Sequence, residues 1–475
     1  MALHRNNLGW VIVAGALTFG CSPDVPSTAQ PGVPIPAAAV VPIPATVVPP
    51  RPVALTPRGR ALKIEQLIGD ADKNTRQPTR GMTLKRFGVG GADLGSPFED
   101  GERVIFLFGD TIGKGNPPGA DAIGFTTDRT PDDGVALDFF TRHRVGKGRA
   151  LGKGKGKGKA QGKVRGRGRG AGAERYLTFS PRNASGKEQD LKGFEMPVAG
   201  IRLGSNAFVA YKDSHAGDEE GSADLDAPEA NPTDITSLAL FDPATGVATT
   251  LCALSRQPQG RFQKVSLHQA VGAAAWPDGG PFVVMHGTGK ARTSHAYVAL
   301  APVATFGRCA GLRYFARLEN GVPVWSPRES DAGPVFREGP GEGKIGELSV
   351  TWAAPIQRWI ATYDAKAQSG ARNVFLRHSE TPWGPWSEPV VLVDGKTDVA
   401  GVFAHEPGRV PDDGLAGPMI GKNKRHPEKA RGTAYAPFVV ERWTRLEAGV
   451  LKIYYTLSLW NPYTVILMRS DLTVS

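Results

Sequence analysis

The sequence predicts an all-β fold, a five-bladed β-propeller, on three observations. Short apolar runs bounded by Gly, Pro, Asp and Asn recur throughout, while amphipathic helical periodicity is scarce. Five of these runs resemble one another: RVIFLFGDT (103–111), NAFVAYKDS (206–214), PFVVMHGTG (281–289), RWIATYDAK (358–366) and LKIYYTLSL (451–459). Each is an apolar strand that turns polar at its end. The last four start 75, 77 and 93 residues apart, and the first interval of 103 shrinks to 69 once a 34-residue insertion is removed. Units of that length suit four-stranded blades with long loops, and five similar units favour radial repetition over a sandwich.

The first 21 residues read as an export signal: a positively charged MALHRNN, the apolar run LGWVIVAGALTF, then Gly20-Cys21. That run is too short to span a bilayer. The small residue before the cysteine predicts lipidation at Cys21; simple cleavage or a short uncleaved anchor are the alternatives. Residues 22–56, dominated by Pro, Ala and Val, predict an extended, semi-rigid tether. The propeller is expected over 57–475. The chain is therefore expected to be exported: a membrane-anchored lipoprotein if Cys21 is modified, otherwise periplasmic or extracellular. Cys252 and Cys309 are then left to form one disulfide in an oxidising compartment, or to remain two buried thiols.

The formal charge of +11 is concentrated in one place: residues 142–175 hold 13 Lys or Arg and one acid, leaving 44 basic and 45 acidic residues elsewhere. This Gly-Lys and Gly-Arg tract has no apolar periodicity and is expected to be disordered. It lacks the interleaved aromatics that would stack bases. It is a solvated loop insertion, or a patch contacting polyanions such as acidic polysaccharide, anionic lipid or DNA.

The stretch GVGGADLGSPFEDGERVIFLFGDT (88–111) holds two strand-like pieces, with Asp93 and Asp110 near their ends. A buried strand that delivers a carboxylate at its tip places an acid in a cleft. Two such carboxylates can supply the acid and base of glycosidic bond cleavage. Both also have a plainer reading, Asp110 as a turn cap and Asp93 as a tight-turn residue. Asp213 and Asp364 sit at similar ends of their own repeat strands, and His286 takes the corresponding place in the third. Glu347 just precedes a strand and is the third candidate acid. A repeat-wide turn role competes in each case, and a lone His is more often a satisfied interior residue.

The segment Trp460-Asn461-Pro462-Tyr463 follows the last repeat strand. Propellers close by pairing terminal with initial strands, which would set this segment beside the first-blade aspartates. Trp460 and Tyr463 could then stack on a sugar and Asn461 bind its hydroxyls; core packing explains the aromatics equally well. Trp383 and Trp386, on a turn before an apolar strand, are expected to pack blade against blade, as are Trp352, Trp359 and Trp443. No Gly-x-Ser-x-Gly elbow, phosphate loop, dinucleotide fingerprint or HExxH occurs, and the nine histidines are scattered. No cofactor and no metal is predicted; the expected partner of this monomer is a polysaccharide.

GGADLGSPFEDGERVIFLFGDT resembles the opening signature of the domain-of-unknown-function family DUF4185, and IYYTLSLWNPYTVILMRSDL (453–472) its closing segment. GKIGELSVTWAAPIQRWIATY (343–363) and AYAPFVVERW (434–443) are similar to its later blades. The resemblance spans roughly residues 80–475, interrupted by the basic insertion. It implies a five-bladed propeller of the kind found in arabinanases. Some members cleave D-arabinan of mycobacterial cell walls as endo-acting glycoside hydrolases, with the two aspartates of the opening signature as catalytic carboxylates; these fall on Asp93 and Asp110. Here Ala92 stands where a Thr is common.

Overall fold

The structure, a computed structural model, describes residues 53–113, 121–141, 176–183, 185–187, 196–213, 235–257, 260–270, 280–289, 292, 294–337, 345–367, 369–406, 408–410, 414–415 and 431–475. Cys21, most of the tether and the basic tract 142–175 lie outside them.

Five antiparallel sheets form the five blades. Strands β1 (Leu55–Pro57) and β2 (Leu62–Gln66) open the described chain. Blade 1 holds β3 (Val89–Asp100), β4 (Arg103–Gly113), β5 (Ile123–Thr126) and β6 (Asp138–Phe139). Blade 2 holds β7 (Ser180–Arg182), β8 (Met196–Leu203), β9 (Asn206–Asp213), β10 (Ile235–Asp242) and β11 (Val247–Arg256), with β7 joined parallel to β11. Blade 3 runs through β12 (Lys264–Ala270), β13 (Phe282–Thr288), β14 (Ala296–Pro302), β15 (Arg313–Glu319) and β16 (Val322–Ser326). Blade 4 holds β17 (Ile345–Ala353), β18 (Arg358–Lys366), β19 (Arg372–Ser379) and β20 (Val390–Val393). Blade 5 holds β21 (Thr433–Val439), β22 (Arg445–Glu447), β23 (Val450–Trp460) and β24 (Thr464–Val474). The strands β3, β8, β12, β17 and β21 contact one another in a ring and enclose the central channel.

All five repeat segments become the second strand of a blade: β4, β9, β13, β18 and β23. Their near-continuous apolar character follows from that position, because alternate side chains face neighbouring blades on both sides. In β4, Val104, Phe106 and Phe108 join a core with Tyr454, Val465 and Leu467 of blade 5, while Ile105 and Leu107 join one with Val209 and Ala239 of blade 2. In β13, Val283 and Met285 face blade 2, and Val284 faces blade 4. Trp359 and Trp383 are buried between blades 3 and 4, with Trp352 and Trp386 packed against that core, and Trp443 lies between blades 5 and 1.

The N-terminal chain closes the ring. Both β1 and β2 pair antiparallel with the last strand, β24. Leu55 pairs with Val474, so the folded unit begins before residue 57, inside the segment expected to be tether. In a segment rich in Pro, Ala and Val, nothing in the composition marks Leu55, buried in the core of blades 4 and 5, as the residue that anchors it. Cys252 of β11 and Cys309, just after β14, form a disulfide that ties blade 2 to blade 3.

Phe106 is fully buried, with ring centroids 6.4 Å from Phe108 and 6.2 Å from Trp443. Phe106→Ala should lower the unfolding free energy by about 3–5 kcal/mol, read from denaturant melts; a change under ~1 kcal/mol would contradict this account of the blade interface.

Candidate active site

Four of the five innermost strands bring polar side chains together from their first few residues: Asp93 on β3, Lys264 on β12, Glu347 on β17 and Tyr435 on β21. Asp93 owes its orientation to an irregular strand. Register shifts flank it, and Leu94 and Gly95 carry positive φ of 58° and 72°. Such bulges re-aim a side chain at the rim of a sheet. Asp93 sits directly opposite Gly109, where a Cβ would come within 2.6 Å of its Oδ1, so residue 109 must be glycine to leave room for the carboxyl.

The Asp93 side chain is buried. The Tyr435 hydroxyl donates to Oδ2 at 2.8 Å, while Oδ1 has no partner among the described residues. Tyr463 lies close enough to interact electrostatically with Asp93, without a geometrically complete hydrogen bond. Burial pushes the Asp93 carboxyl up to about 6, and the nearby Glu347 charge adds to this against the pull of Tyr435. Asp110 follows Gly109 with φ 40°, a left-handed conformation costly for a residue with a Cβ. Regular alternation along β4 would send Asp110 to the face opposite Gly109 and Asp93; the left-handed residue breaks that alternation. Asp110 is half-buried, its amide donates to Asp121 Oδ1 at 3.1 Å, and its charge, like that of Asp93, acts on Tyr463.

Glu347 is locked in place. Its Oε1 is bound by Lys264 and lies 3.6 Å from Arg292, while Oε2 has no partner among the described residues. Burial opposes ionisation here, but the Lys264 and Arg292 charges outweigh it and hold this carboxyl well below the usual range. Behind it, Asp364 Oδ1 accepts the amides of Glu347 at 3.0 Å and Ala436 at 3.1 Å, and Oδ2 accepts from Arg372 Nε at 2.8 Å. Asp364 thus fastens β17, β19 and β21 together at the cluster.

The structure therefore gathers Asp93, Asp110, Glu347 and Tyr463, and corrects other expectations. Asp364 is fully buried with both oxygens committed to the scaffold, so it is a clamp and not a sugar ligand. His286 lies between blades 3 and 4, donating from Nε2 to the Pro382 carbonyl at 2.8 Å beside Trp359 and Trp386, and burial lowers it to about 4. It is an interior residue, as second-strand side chains facing a neighbouring blade must be. Asn461 is fully buried, with positive φ and a cis bond to Pro462, and its amide donates to the Arg431 carbonyl at 3.3 Å; it shapes the turn. Trp460 is half-buried and packs edge-on against Tyr463 at 5.9 Å. Asp213 ends β9, and its side chain lies outside the described residues. The sequence reading missed Lys264, Arg292, Arg372 and Tyr435. Only Tyr435, inside the AYAPFVVERW segment, carried a local signal.

Residues 243–469 match the model of the family described as a domain of unknown function, DUF4185, within the span of the sequence resemblance. No curated protein matches the chain. Similar solved structures include an endo-1,5-α-L-arabinanase from Thermotoga petrophila in complex with TRIS (9% identity, 84% of this chain and 75% of that one, TM-score 0.36). Others are a family-43 glycoside hydrolase from Bacillus licheniformis (9%, 82% and 75%, 0.37) and an α-L-arabinofuranosidase from Podospora anserina in complex with cellotriose (7%, 86% and 97%, 0.35). None of these likenesses transfers a residue role to this chain.

A carboxyl raised from 3.8 to about 6 on folding favours the folded state below the lower value, and that contribution disappears as pH rises through about 6. Asp93→Asn removes this titration. The stability of the variant relative to wild type should therefore rise by on the order of 3 kcal/mol between pH 4 and pH 7, measured by denaturant unfolding at both pH values. Parallel pH profiles for the two proteins would refute the assignment.

Proposed function

We propose that this propeller is an exported glycoside hydrolase acting on a cell-wall or environmental polysaccharide, arabinan-like in the first instance. One juxtaposition carries the reading. Asp93, raised to about 6, and the half-buried Asp110 both act on Tyr463 at the start of the first blade. Carboxyls placed in contrasting environments divide acid from base work. Asp93 is the general acid. Tyr435 occupies Oδ2, so the proton resides on Oδ1 and passes from there to the leaving glycosidic oxygen. Asp110 is the partner carboxylate that activates water or attacks the anomeric carbon. Glu347, kept ionised by Lys264 and Arg292, raises Asp93 through its charge. The half-buried Trp460 offers a face on which a sugar can stack, while Tyr463 is fully buried and packs behind it rather than meeting the sugar. Export and a lipid anchor at Cys21 belong to the same proposal on the strength of residues 1–21, as does action as a monomer.

The near-complete burial of Asp93 and Glu347 supports a second reading, a non-catalytic surface propeller that binds glycan or protein and uses these carboxyls as scaffold. Product release from a panel of plant and bacterial polysaccharides, including arabinans and arabinogalactan, separates the two. Wild type should release oligosaccharides, with Asp93→Asn and Asp110→Asn each slower by about 10²–10⁴-fold while still folded. The rate should fall as pH rises through about 6, where Asp93 loses its proton. Glu347→Gln should move that limb to lower pH, since removing the negative neighbour eases ionisation of Asp93. No product from any glycan would leave the binding propeller; full activity in both aspartate variants would place the chemistry elsewhere.

A further inference from the structure

The channel has a second end, and it is hollow. A cavity of about 280 Å³ lies where the innermost strands finish, lined by segments 97–99, 200–202, 266–269, 349–351 and 439–441. All five blades therefore build its wall. His268 and Thr351 stand four residues beyond Lys264 and Glu347 on the same strands, about 13 Å further along at ~3.3 Å per residue. Between the two ends Leu94, Met196, Val198, Val265, Leu348 and Phe438, together with Lys264 and Glu347 of the cluster, enclose a void of only about 10 Å³. That is room for one water at most, so a molecule in the cavity does not reach the carboxylates at the other end.

The wall interleaves polar and apolar residues. Glu441 accepts from the Thr351 hydroxyl at 2.6 Å and lies 3.1 Å from His268 Nε2. The His268 ring stands edge-on to Trp359 at 5.0 Å, which fixes its orientation. Glu99 pairs with Arg442, and Arg202 is held by Asp100 at 2.6 Å, so the rim charges are largely balanced. Ser349 accepts the Val439 amide at 3.2 Å, and Gln269 contributes an amide to the lining. Phe98, Ile201, Val350 and Val440 also line the cavity, each packed mainly into the core between two blades. Phe98 lies flat across Gly200, where a Cβ would meet its ring at 2.2 Å; only glycine on β8 lets the ring form that wall.

A preformed pocket with interleaved apolar and polar walls, carboxylate and hydroxyl acceptors and little net charge suits a molecule that carries both C–H groups and hydroxyl donors. Its volume is near the lower bound of about 300 Å³ for small-molecule pockets, which excludes a polymer. We propose that this far mouth is a second ligand site, for a single neutral sugar or a polyol of similar size, with Glu441 accepting its hydroxyls and Phe98 covering its C–H face. The proposal is independent of the catalytic reading, because none of its residues belongs to the carboxylate cluster.

The test is a titration of the full chain with D-arabinose, L-arabinose and D-glucose, followed by calorimetry and by ligand-observed NMR. One of these sugars should bind saturably with a Kd of about 1 mM. Glu441→Gln should weaken binding at least tenfold by removing the charge and replacing one acceptor oxygen with an NH₂ donor, and Gln269→Trp should abolish it by filling the mouth from a half-exposed position that leaves the core untouched. Asp110→Asn should leave that binding unchanged, and its unfolding midpoint together with those of the rim variants verifies that the propeller is intact. The proposal fails if no sugar binds by about 50 mM. It fails equally if binding survives both rim variants, or if it is lost in Asp110→Asn and kept in Glu441→Gln. Should Glu441→Gln not fold, His268→Gln tests the same wall.

Discussion

Every blade must bury two faces at once, and the rest of this structure depends on that constraint. A sheet in a sandwich hides one face and wets the other; a blade in a closed ring has a neighbour on each side. The second strands meet this demand with apolar residues at consecutive positions. Val104 to Phe108 divide between two cores by simple alternation. Buried polar atoms between blades, such as His286 and the Arg377–Tyr363 pair, are individually hydrogen-bonded, and the ionisable cluster gathers at strand ends around the channel. The architecture thereby concentrates titratable groups in a low-dielectric environment. There, burial and mutual charge displace the Asp93 and Glu347 carboxyls in opposite directions.

The cluster is held together by groups that do no chemistry themselves. Asp364 accepts amides from two different blades and an arginine from its own, so one carboxylate sets the spacing between β17 and β21. Tyr435, two residues into β21, then reaches across to Asp93. Blade 1 and blade 5 meet again where the Thr456 hydroxyl donates to the Gly95 carbonyl at 3.0 Å, beside the bulge that aims Asp93. A carboxyl at the tip of one strand is thus positioned by two other blades.

Much of this was legible in the sequence, and for identifiable reasons. Second strands are the most buried elements of a blade, so their composition is the least free, and five of them announced the repeat. The innermost strands were harder to see: β12 reads KVSLHQA and β17 reads IGELSVTWA, because residues lining a channel alternate with residues packing a blade. Asp93 and Asp110 stood out as acids beside glycines in an apolar context. Lys264 and Arg292 did not, since a basic residue at a strand end is ordinary until a distant Glu347 is placed against it. His286 and Asp364 shared the strand-end position with Asp110 but not its backbone. The left-handed turn at Asp110 is a conformational fact that side-chain pattern does not encode.

Closure of the ring by the chain's first strands has a consequence for how the protein comes into being. The partner of β1 and β2 is β24, about 400 residues further along the chain, so these two strands have nowhere to pair until residues 464–474 have been synthesised. Four blades can assemble in order, but until β24 is made β1 and β2 stay unpaired and must be kept from pairing with another molecule. A chain interrupted before residue 464 leaves the ring with one place unfilled.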